Sequence, residues 1–384
     1  MGTWTLQCVA VKTADVPSSF GRILVVVPNW VGDVVLASPV LAALRGRFAA
    51  ARITYLLRRY VCEIVDGCGW HDDVVCWPEG RGLGREIRTL QLGRSLRRER
   101  FDLALLLTNS FRSALVAWRA GVPRRVGYAR EARGWMLTDR LQPLRRDGRF
   151  VPSPVLPYYI KIVEHVGCPV TDRRLRLGIT VQQEKAGRDL LRHYRLDDGQ
   201  PYALVNPGAA FGAAKCWPAE RFAEVCDRVQ AECGFRPVIV GNARTEGPLM
   251  RTIASRVRAG AVCCDDPATT LGSLKVLARG AALLVCNDTG PRHYGAAFGI
   301  PTVTIFGPTH QAWTDTDYDG EIKLQVPVEC GPCQLKACPL DLRCMTELTT
   351  DMVMQAVAEV LRRRGALARE SANVGTCEPG TVKR

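Results

Sequence analysis

The sequence has no run of about 18 consecutive apolar residues, which is the length that a membrane-spanning helix requires. Residues 1–20 contain Lys12 and Asp15 but no sustained apolar segment, so neither a signal peptide nor an anchor is predicted. The 16 cysteines among 384 residues are too sparse for a disulfide scaffold and favour a reducing compartment. We therefore expect a cytoplasmic chain whose contact with any membrane is peripheral.

Acidic residues are in the minority. The chain has 38 Asp and Glu against 52 Lys and Arg, which gives a formal net charge of +14. Much of the excess lies in three arginine-rich stretches, at 94–100, 119–133 and 140–149. Such a field attracts nucleic acid, anionic lipid headgroups or phosphorylated glycans, and the alternative is a solvated basic face without a specific partner.

The chain is long enough for two α/β domains of roughly 150–200 residues each. Short apolar, β-branched runs alternate with helix-like stretches in two successive series, a pattern typical of parallel sheets covered by helices on both faces. The predicted strands are 22–28, 52–58, 73–77 and 102–107 in the first series and 202–206, 236–240, 262–264, 283–287 and 302–306 in the second. We predict two doubly wound units in tandem.

The predicted organisation has five parts. They are an N-terminal extension (1–21), a first Rossmann-like domain (22–180), a second (181–349) with a cysteine-rich insert at 330–344, a closing helix (350–365) and a disordered tail (366–384). The stretch 121–157 and the one that follows Gly307 break the alternation and are predicted to be irregular.

Ligands of doubly wound sheets bind at the carboxyl ends of the strands, so the loops that leave predicted strands are the candidate sites. After the first strand, Asp33 either caps the following helix or serves in the site. After 202–206, Gly208 and its small neighbours let backbone N–H groups approach a phosphate that Lys215 can neutralise; a flexible lid is the alternative.

Two further loops carry polar candidates. Asp288 and Thr289 follow 283–287 and either contact a phosphate or cap the next helix, where His293 could equally pack locally. Glu246 follows 236–240 and either holds ribose hydroxyls or is an exposed helix-starting residue. A NAD-dependent dehydrogenase is disfavoured, because the loop after the first strand has one glycine where the dinucleotide fingerprint needs three.

Taken together, these segments resemble the ADP-heptose:lipopolysaccharide heptosyltransferases, glycosyltransferase family 9, and particularly the heptosyltransferase II branch. The resemblance spans 22–363. It rests on Pro-Asn-Trp-Val-Gly-Asp at 28–33, Asn-Pro-Gly-Ala and Ala-Lys-Cys-Trp-Pro within 206–218, Asn-Asp-Thr-Gly-Pro-Arg-His at 287–293, Phe-Gly-Pro-Thr at 306–309, and Cys-Gly-Pro-Cys at 330–333 ahead of Cys-Pro-Leu.

The resemblance implies a GT-B fold, with two Rossmann-like parallel-sheet domains facing each other across a cleft. It implies inverting transfer of heptose from ADP-heptose to the inner-core oligosaccharide of lipopolysaccharide, with Asp33 as the catalytic base. The residues that it assigns to donor binding are Asn206, Gly208, Lys215, Glu246, Asp288, Thr289, Gly290 and His293.

The partners implied by the resemblance are an ADP-sugar donor and an anionic glycolipid acceptor at the inner face of the inner membrane. No cofactor is required for catalysis. The alternatives are a GT-B transferase that uses another nucleotide sugar and a non-catalytic nucleotide or nucleic-acid binder. Nucleic acid is not the expected partner, because the chain lacks the aromatic-interleaved basic motifs of RNA-binding proteins.

Four cysteines lie close together in the sequence, at Cys330, Cys333, Cys338 and Cys344. Their spacing is compatible with one structural zinc, an iron–sulfur site, two disulfides or reduced thiols. A metal here would be structural, because the mechanism implied by the resemblance calls for none.

Overall fold

The computed structural model describes residues 19–146, 149–151 and 153–374. Most of the predicted extension at 1–21 and residues 375–384 of the predicted tail lie outside this range. The chain forms two compact units. The first contains the described residues up to Asn29, with Ala37–Cys62 and Gly69–Arg173; the second contains Trp30–Leu36, Glu63–Cys68 and the described residues from Arg174 onward.

The first unit is built on a six-stranded parallel sheet in the order β3-β2-β1-β4-β5-β6. Ile23 on β1 lies opposite Ile53 on β2 and Leu103 on β4, and all three side chains are fully buried. The strands are β1 (Arg22–Val26), β2 (Arg52–Leu57), β3 (Asp73–Cys76), β4 (Leu103–Leu106), β5 (Arg124–Tyr128) and β6 (Asp139–Leu141), followed by a short antiparallel pair, β7 (Arg145–Arg146) and β8 (Arg149–Phe150).

Helices connect these strands in the manner of a doubly wound fold. They are α1 (Val31–Leu36), α2 (Ser38–Arg47), α3 (Cys62–Val65), α4 (Gly82–Leu96), α5 (Phe111–Arg119) and α6 (Val155–Glu164). Ser110 caps α5 by accepting a hydrogen bond from the backbone N–H of Ser113, at 3.3 Å. Although α1 follows β1 in the chain, it packs within the second unit.

The second unit repeats the plan with a parallel sheet in the order β11-β10-β9-β12-β13-β14. Three of the four interior strands, β9, β12 and β13, are buried along their whole length, as expected for a sheet covered on both faces. The elements are β9 (Tyr202–Asn206), β10 (Arg236–Ile239), β11 (Val262–Cys263), β12 (Leu283–Asn287), β13 (Thr302–Phe306), β14 (Glu321–Gln325), α7 (Val181–His193), α8 (Ala219–Cys233), α9 (Ala243–Ala254), α10 (Leu271–Gly280), α11 (Arg292–Phe298), α12 (Arg343–Thr346) and α13 (Thr350–Val374).

The prediction of two doubly wound parallel sheets is confirmed, and each predicted strand is present. The stretches predicted as irregular nevertheless contain β5, β6 and β14, together with the short pair β7 and β8. These strands are short or strongly charged: Arg124 on β5 pairs with Asp139 on β6 at 3.0 Å, and no residue of β14 is fully buried. β6 and β14 are edge strands, which carry little apolar patterning, and β5 begins with two arginines, so the sequence signal on which the prediction relied is weak in all three. The closing helix extends to Val374, beyond the predicted end at 365.

The segment Glu63–Cys68 is fastened into the second unit by buried polar contacts. The ammonium of Lys275 on α10 donates to the backbone oxygens of Asp66, at 3.0 Å, and Gly178, at 2.8 Å. The carboxylate of Glu63 accepts from the backbone N–H of Gly272 at 2.7 Å. Burial lowers the pKa of Lys275 to about 8, so the contact with Asp66 secures the segment at the expense of desolvating the cation.

Within the described ranges, none of the helices combines the length and the apolar character that crossing a membrane demands.

Candidate functional site

The candidate site lies in the second unit, where loops that follow β9, β10, β12 and β13 meet the start of α1. The loop after β12 contacts α1 closely. A side chain on Gly290 would approach Cβ of Val31 to 2.6 Å, and one on Gly32 would approach the His293 ring to 3.0 Å. Only glycine permits this approach at both positions, which places Asp33 beside the loop that carries Asp288.

A buried ion pair between Lys215 and Asp288 joins two of the predicted site residues. The Lys215 ammonium also donates to the backbone oxygen of Asp288 at 3.2 Å. Thr309, at the carboxyl end of β13, donates its hydroxyl to the Asp288 carboxylate at 2.6 Å, and Arg292 approaches the same carboxylate at 3.5 Å. Asp288 therefore holds Lys215 in place and is itself fully engaged.

Opposing effects act on the Asp288 carboxyl. Burial alone would raise its pKa, but the cations of Lys215 and Arg292 outweigh burial and hold the pKa below its usual range. Arg292 in turn forms a buried ion pair with Glu321 on β14. The buried charges thus compensate one another, and of these charges the one that acts on Asp33 is the Lys215 ammonium.

Asp33 lies in the first turn of α1 and is half-buried. Burial raises its pKa to about 6, and the Lys215 charge counteracts only part of this rise. Among the described residues none donates a hydrogen bond to the Asp33 carboxylate, so its alternative interpretation as a helix cap has no geometric support. A carboxylate with a pKa near neutrality and no fixed partner is suited to accept a proton.

Glu246 lies against the loop after β9. A side chain on Gly208 would approach the Glu246 carboxyl carbon to 2.0 Å, so this glycine leaves the room that Glu246 occupies. The carboxylate accepts from the backbone N–H of Asn242 at 2.8 Å, and burial raises its pKa. Among the described residues no hydrogen bond reaches its other oxygen, and the ribose role that the sequence suggested stays a prediction.

The remaining predicted residues frame these groups. Asn206 ends β9 and is buried, while Thr289 and Gly290 are partly exposed in the loop after β12. His293 is buried in α11, and burial lowers its pKa well below the usual range, so its imidazole is neutral. His293 is therefore a packing neighbour of Gly32 rather than a charged ligand for phosphate.

Sequence reasoning missed three contributors to the site. Thr309 was part of a quoted motif but received no role; its position directly after β13 was the available signal. Phe211 lies beneath two cations, with Lys215 Nζ 5.0 Å and Lys336 Nζ 5.9 Å from its ring centre. The Arg292–Glu321 pair was not foreseen, because Glu321 lies on the unpredicted strand β14.

The four clustered cysteines are free thiols, with Cys330 exposed and Cys344 buried. Over the ranges that the structure describes, His, Cys, Asp and Glu side chains form no group of three or more that could hold a metal ion. The zinc and iron–sulfur interpretations of this cluster are therefore unsupported, as are the disulfides. The segment nevertheless touches the site, since the backbone oxygen of Lys336 accepts from Ala214 N–H at 3.1 Å.

The sequence model of glycosyltransferase family 9 (heptosyltransferase) matches residues 89–343, well over half of the chain. Among curated relatives, lipopolysaccharide heptosyltransferase 2 of Escherichia coli K12 is 28% identical over 299 residues, which cover 76% of this chain and 84% of the relative.

Solved structures show the same fold. E. coli ADP-heptose LPS heptosyltransferase II superposes with a TM-score of 0.73 at 23% identity, covering 90% of this chain and 99% of that one. E. coli heptosyltransferase WaaC with ADP-2-deoxy-2-fluoro heptose superposes with a TM-score of 0.64 at 17% identity, covering 88% and 99%. The two parallel sheets of this chain thus have the arrangement of strands found in GT-B glycosyltransferases.

Proposed function

The chain belongs to glycosyltransferase family 9, and from that premise we propose that it transfers heptose from ADP-heptose to the inner-core oligosaccharide of lipopolysaccharide. The observation that carries the proposal is the Asp33 carboxylate, whose pKa is raised to about 6, beside the anchored cation of Lys215. The names of the relatives support the choice of sugar, and a relative solved with an ADP-heptose analogue supports the choice of nucleotide.

The proposed reaction is a single inverting displacement. Asp33 takes the proton from the acceptor hydroxyl as its oxygen bonds to the anomeric carbon. The bond from that carbon to the diphosphate oxygen breaks, and ADP leaves with the electron pair. Lys215 stabilises the negative charge that develops on the diphosphate, so we infer no requirement for a divalent metal or another cofactor.

The other assigned residues bind the donor. Glu246 accepts hydrogen bonds from the ribose hydroxyls, and Gly208 leaves the room for its carboxylate. Thr289 and Gly290 contact the donor phosphates or sugar, while Asp288 and Thr309 act as positioning residues that hold Lys215. Asn206 and His293 shape the walls of the site.

The proposed acceptor is an anionic glycolipid, and we place the enzyme in the cytoplasm at the inner face of the inner membrane. Family membership supports this location, and the formal net charge of +14 would favour approach to an anionic surface.

The direct test is to incubate the protein with ADP-heptose and a heptose-containing core acceptor in EDTA, and to detect the product by mass. We expect a mass gain of one heptose on the acceptor and release of ADP. Parallel incubations with UDP- and GDP-linked sugars serve as controls for the alternative donor. Turnover with one of these and none with ADP-heptose would reject the proposed donor while leaving a glycosyltransferase.

The pH dependence of kcat/KM provides a second test. Asp33 must be deprotonated to accept the proton, so activity should rise with pH through an apparent pKa of about 6 and then level off. An ordinary aspartate would give a limb near pH 4 instead. Because burial raises the pKa of Glu246 as well, Glu246→Gln is the control: the limb should persist in this variant. If the limb near pH 6 disappeared in Glu246→Gln, the titrating group would be Glu246 and not Asp33.

A further inference from the structure

The first unit carries an exposed apolar stripe on α4. Leu83, Ile87 and Leu90 follow one another at intervals of four and three residues, so they lie on one face of the helix. All three are exposed, Leu83 to 78%. The opposite face of α4 is buried through Thr89, Gly93 and Leu96, which shows that the stripe points away from the core.

Three exposed aromatic rings lie on the neighbouring elements. Phe111 and Trp118 are two turns apart on α5, and Trp135 follows β5. The Trp135 ring is 5.5 Å from Trp118 and 6.5 Å from Phe111, between ring centres. Helix α5 packs along α4, and Arg112 of α5 pairs with Glu86 of α4. The rings and the stripe therefore belong to adjoining elements of one unit, and we call the six side chains the apolar patch.

Arginines accompany the patch. Arg94 lies on the exposed face of α4, Arg97 and Arg98 lie in the 3-10 turn Arg97–Glu99 that follows α4, and Arg119 ends α5. All four are exposed. In the part of the chain that the structure describes, none of them forms an ion pair. The acidic side chains of this region are already engaged, Glu86 with Arg85 and Arg112, and Glu99 with Arg22.

We propose that the apolar patch and these arginines form a docking surface for an anionic phospholipid bilayer. Leucine, isoleucine and tryptophan enter the boundary between headgroups and acyl chains, while arginines beside them bind anionic headgroups. A second copy of this chain is a poorer occupant, because a symmetric dimer would bring like-charged arginines together. The inference names the surface by which the protein would reach its acceptor. It rests on the proposed function in one respect, that the acceptor is a membrane lipid.

Vesicle sedimentation tests this inference with the full chain. Phosphatidylcholine vesicles containing phosphatidylglycerol should carry the protein into the pellet, and vesicles of phosphatidylcholine alone should not. Binding should weaken near 1 M salt, where the screening length falls to about 3 Å. The vesicles contain no acceptor, so the result is independent of the sugar transferred.

Two variants locate the surface. Replacing Leu83, Ile87 and Leu90 by Ser should weaken binding to the anionic vesicles about tenfold or more. Replacing Arg94, Arg97 and Arg98 by Gln should remove the preference for anionic lipid. The matched controls lie in the second unit. The apolar control is Val181→Ser on α7, at a residue that is 85% exposed. The charge control replaces three exposed arginines, Arg188, Arg192 and Arg258, by Gln. Both controls should bind as the unaltered protein does.

Circular dichroism and transfer to a soluble acceptor should be unchanged in the patch variants. The inference would be overturned if both patch variants bound the vesicles as well as the unaltered protein does. It would also be overturned if the unaltered protein sedimented without vesicles and the Ser variant did not, because that result would indicate self-association. If the unaltered protein transferred no sugar to the soluble acceptor but bound the vesicles, the proposed function would be rejected and the docking surface would be retained.

Discussion

Asp33→Asn is expected to lower kcat about 10²–10⁴-fold, the range by which a general base contributes to catalysis. Asparagine keeps the shape of the side chain but cannot accept the proton from the acceptor hydroxyl. Donor binding should be essentially unchanged, because the Asp33 carboxylate is assigned to the acceptor and not to ADP-heptose. Steady-state kinetics with the core acceptor, together with calorimetric titration of the donor, measure the two effects separately.

Protein stability distinguishes this variant from a damaged protein. The folded-state pKa of Asp33 is raised from 3.8 to about 6, so folding favours the neutral form. The contribution of Asp33 to the free energy of unfolding is therefore greatest at low pH, and it falls as the pH rises from the unfolded pKa through about 6. At pH 8 the neutral Asn variant should be at least as stable as the unaltered protein.

The control is Glu220→Gln, which removes a carboxylate from the first turn of α8 within the same unit. Its only described ion pair is with Arg256 at an exposed position, so activity and stability should both stay near those of the unaltered protein. Near-normal kcat in Asp33→Asn would remove Asp33 from the chemistry and return it to a structural role.

Lys215→Met should lower kcat roughly 10²–10³-fold and also destabilise the fold. The substitution removes the cation proposed to stabilise the departing diphosphate, and removing a catalytic charge-stabilising group costs roughly 10²–10³ in kcat. It also leaves the Asp288 carboxylate buried without its main partner. Breaking a buried ion pair in this way lowers the free energy of unfolding by about 3–5 kcal/mol. Arg292 and Thr309 remain near Asp288, so we expect the lower end of that range.

A double-mutant cycle separates the two roles of Lys215. In the variant that combines Lys215→Met with Asp288→Asn, no buried charge is left uncompensated between the two positions, so stability should recover relative to Lys215→Met. Transfer should not recover, because the cation is still absent. Recovery of transfer in the double variant would show that Lys215 supports the fold and has no part in catalysis.

The exposed pair of Arg188 and Glu184 on α7 is the reference for this cycle. Arg188→Gln should cost about 0.5 kcal/mol or less, as is usual for solvent-exposed ion pairs one helical turn apart. Chemical denaturation of the four cycle members and this reference gives all the free energies of unfolding on one scale.

Local patterns predicted the central architecture well, because buried parallel strands are continuous apolar runs. Strands such as Tyr202–Asn206 and Leu283–Asn287 therefore have the bounds that were expected. Helix α7 begins with a signal that is present in the sequence, because Thr180 and Gln183 form a capping box. The edge strand β14 had no comparable signal, since its residues are all partly exposed.

Residues at the candidate site were nominated from their position after strands, but their contacts were not. Nothing local to Asp288 reveals that its carboxylate meets Lys215, which precedes it by more than seventy residues. Whether a polar side chain faces a ligand or another side chain depends on packing between loops, and the sequence of one loop does not contain that information. For the same reason the spacing of Cys330–Cys344 left a metal site, disulfides and reduced thiols open, and in the described structure the four cysteines are free thiols.

The membership of Trp30–Leu36 and Glu63–Cys68 in the second unit limits how this enzyme can be recombined with its relatives. A chimera joined at Arg173 would take Asp33 from one parent and Lys215 from the other, so the proposed base and the cation beside it would no longer have been selected together. It would likewise match Lys275 with a foreign segment at Asp66. Exchange of donor preference between relatives should therefore transplant three pieces of chain, the two short segments along with the C-terminal part, rather than one.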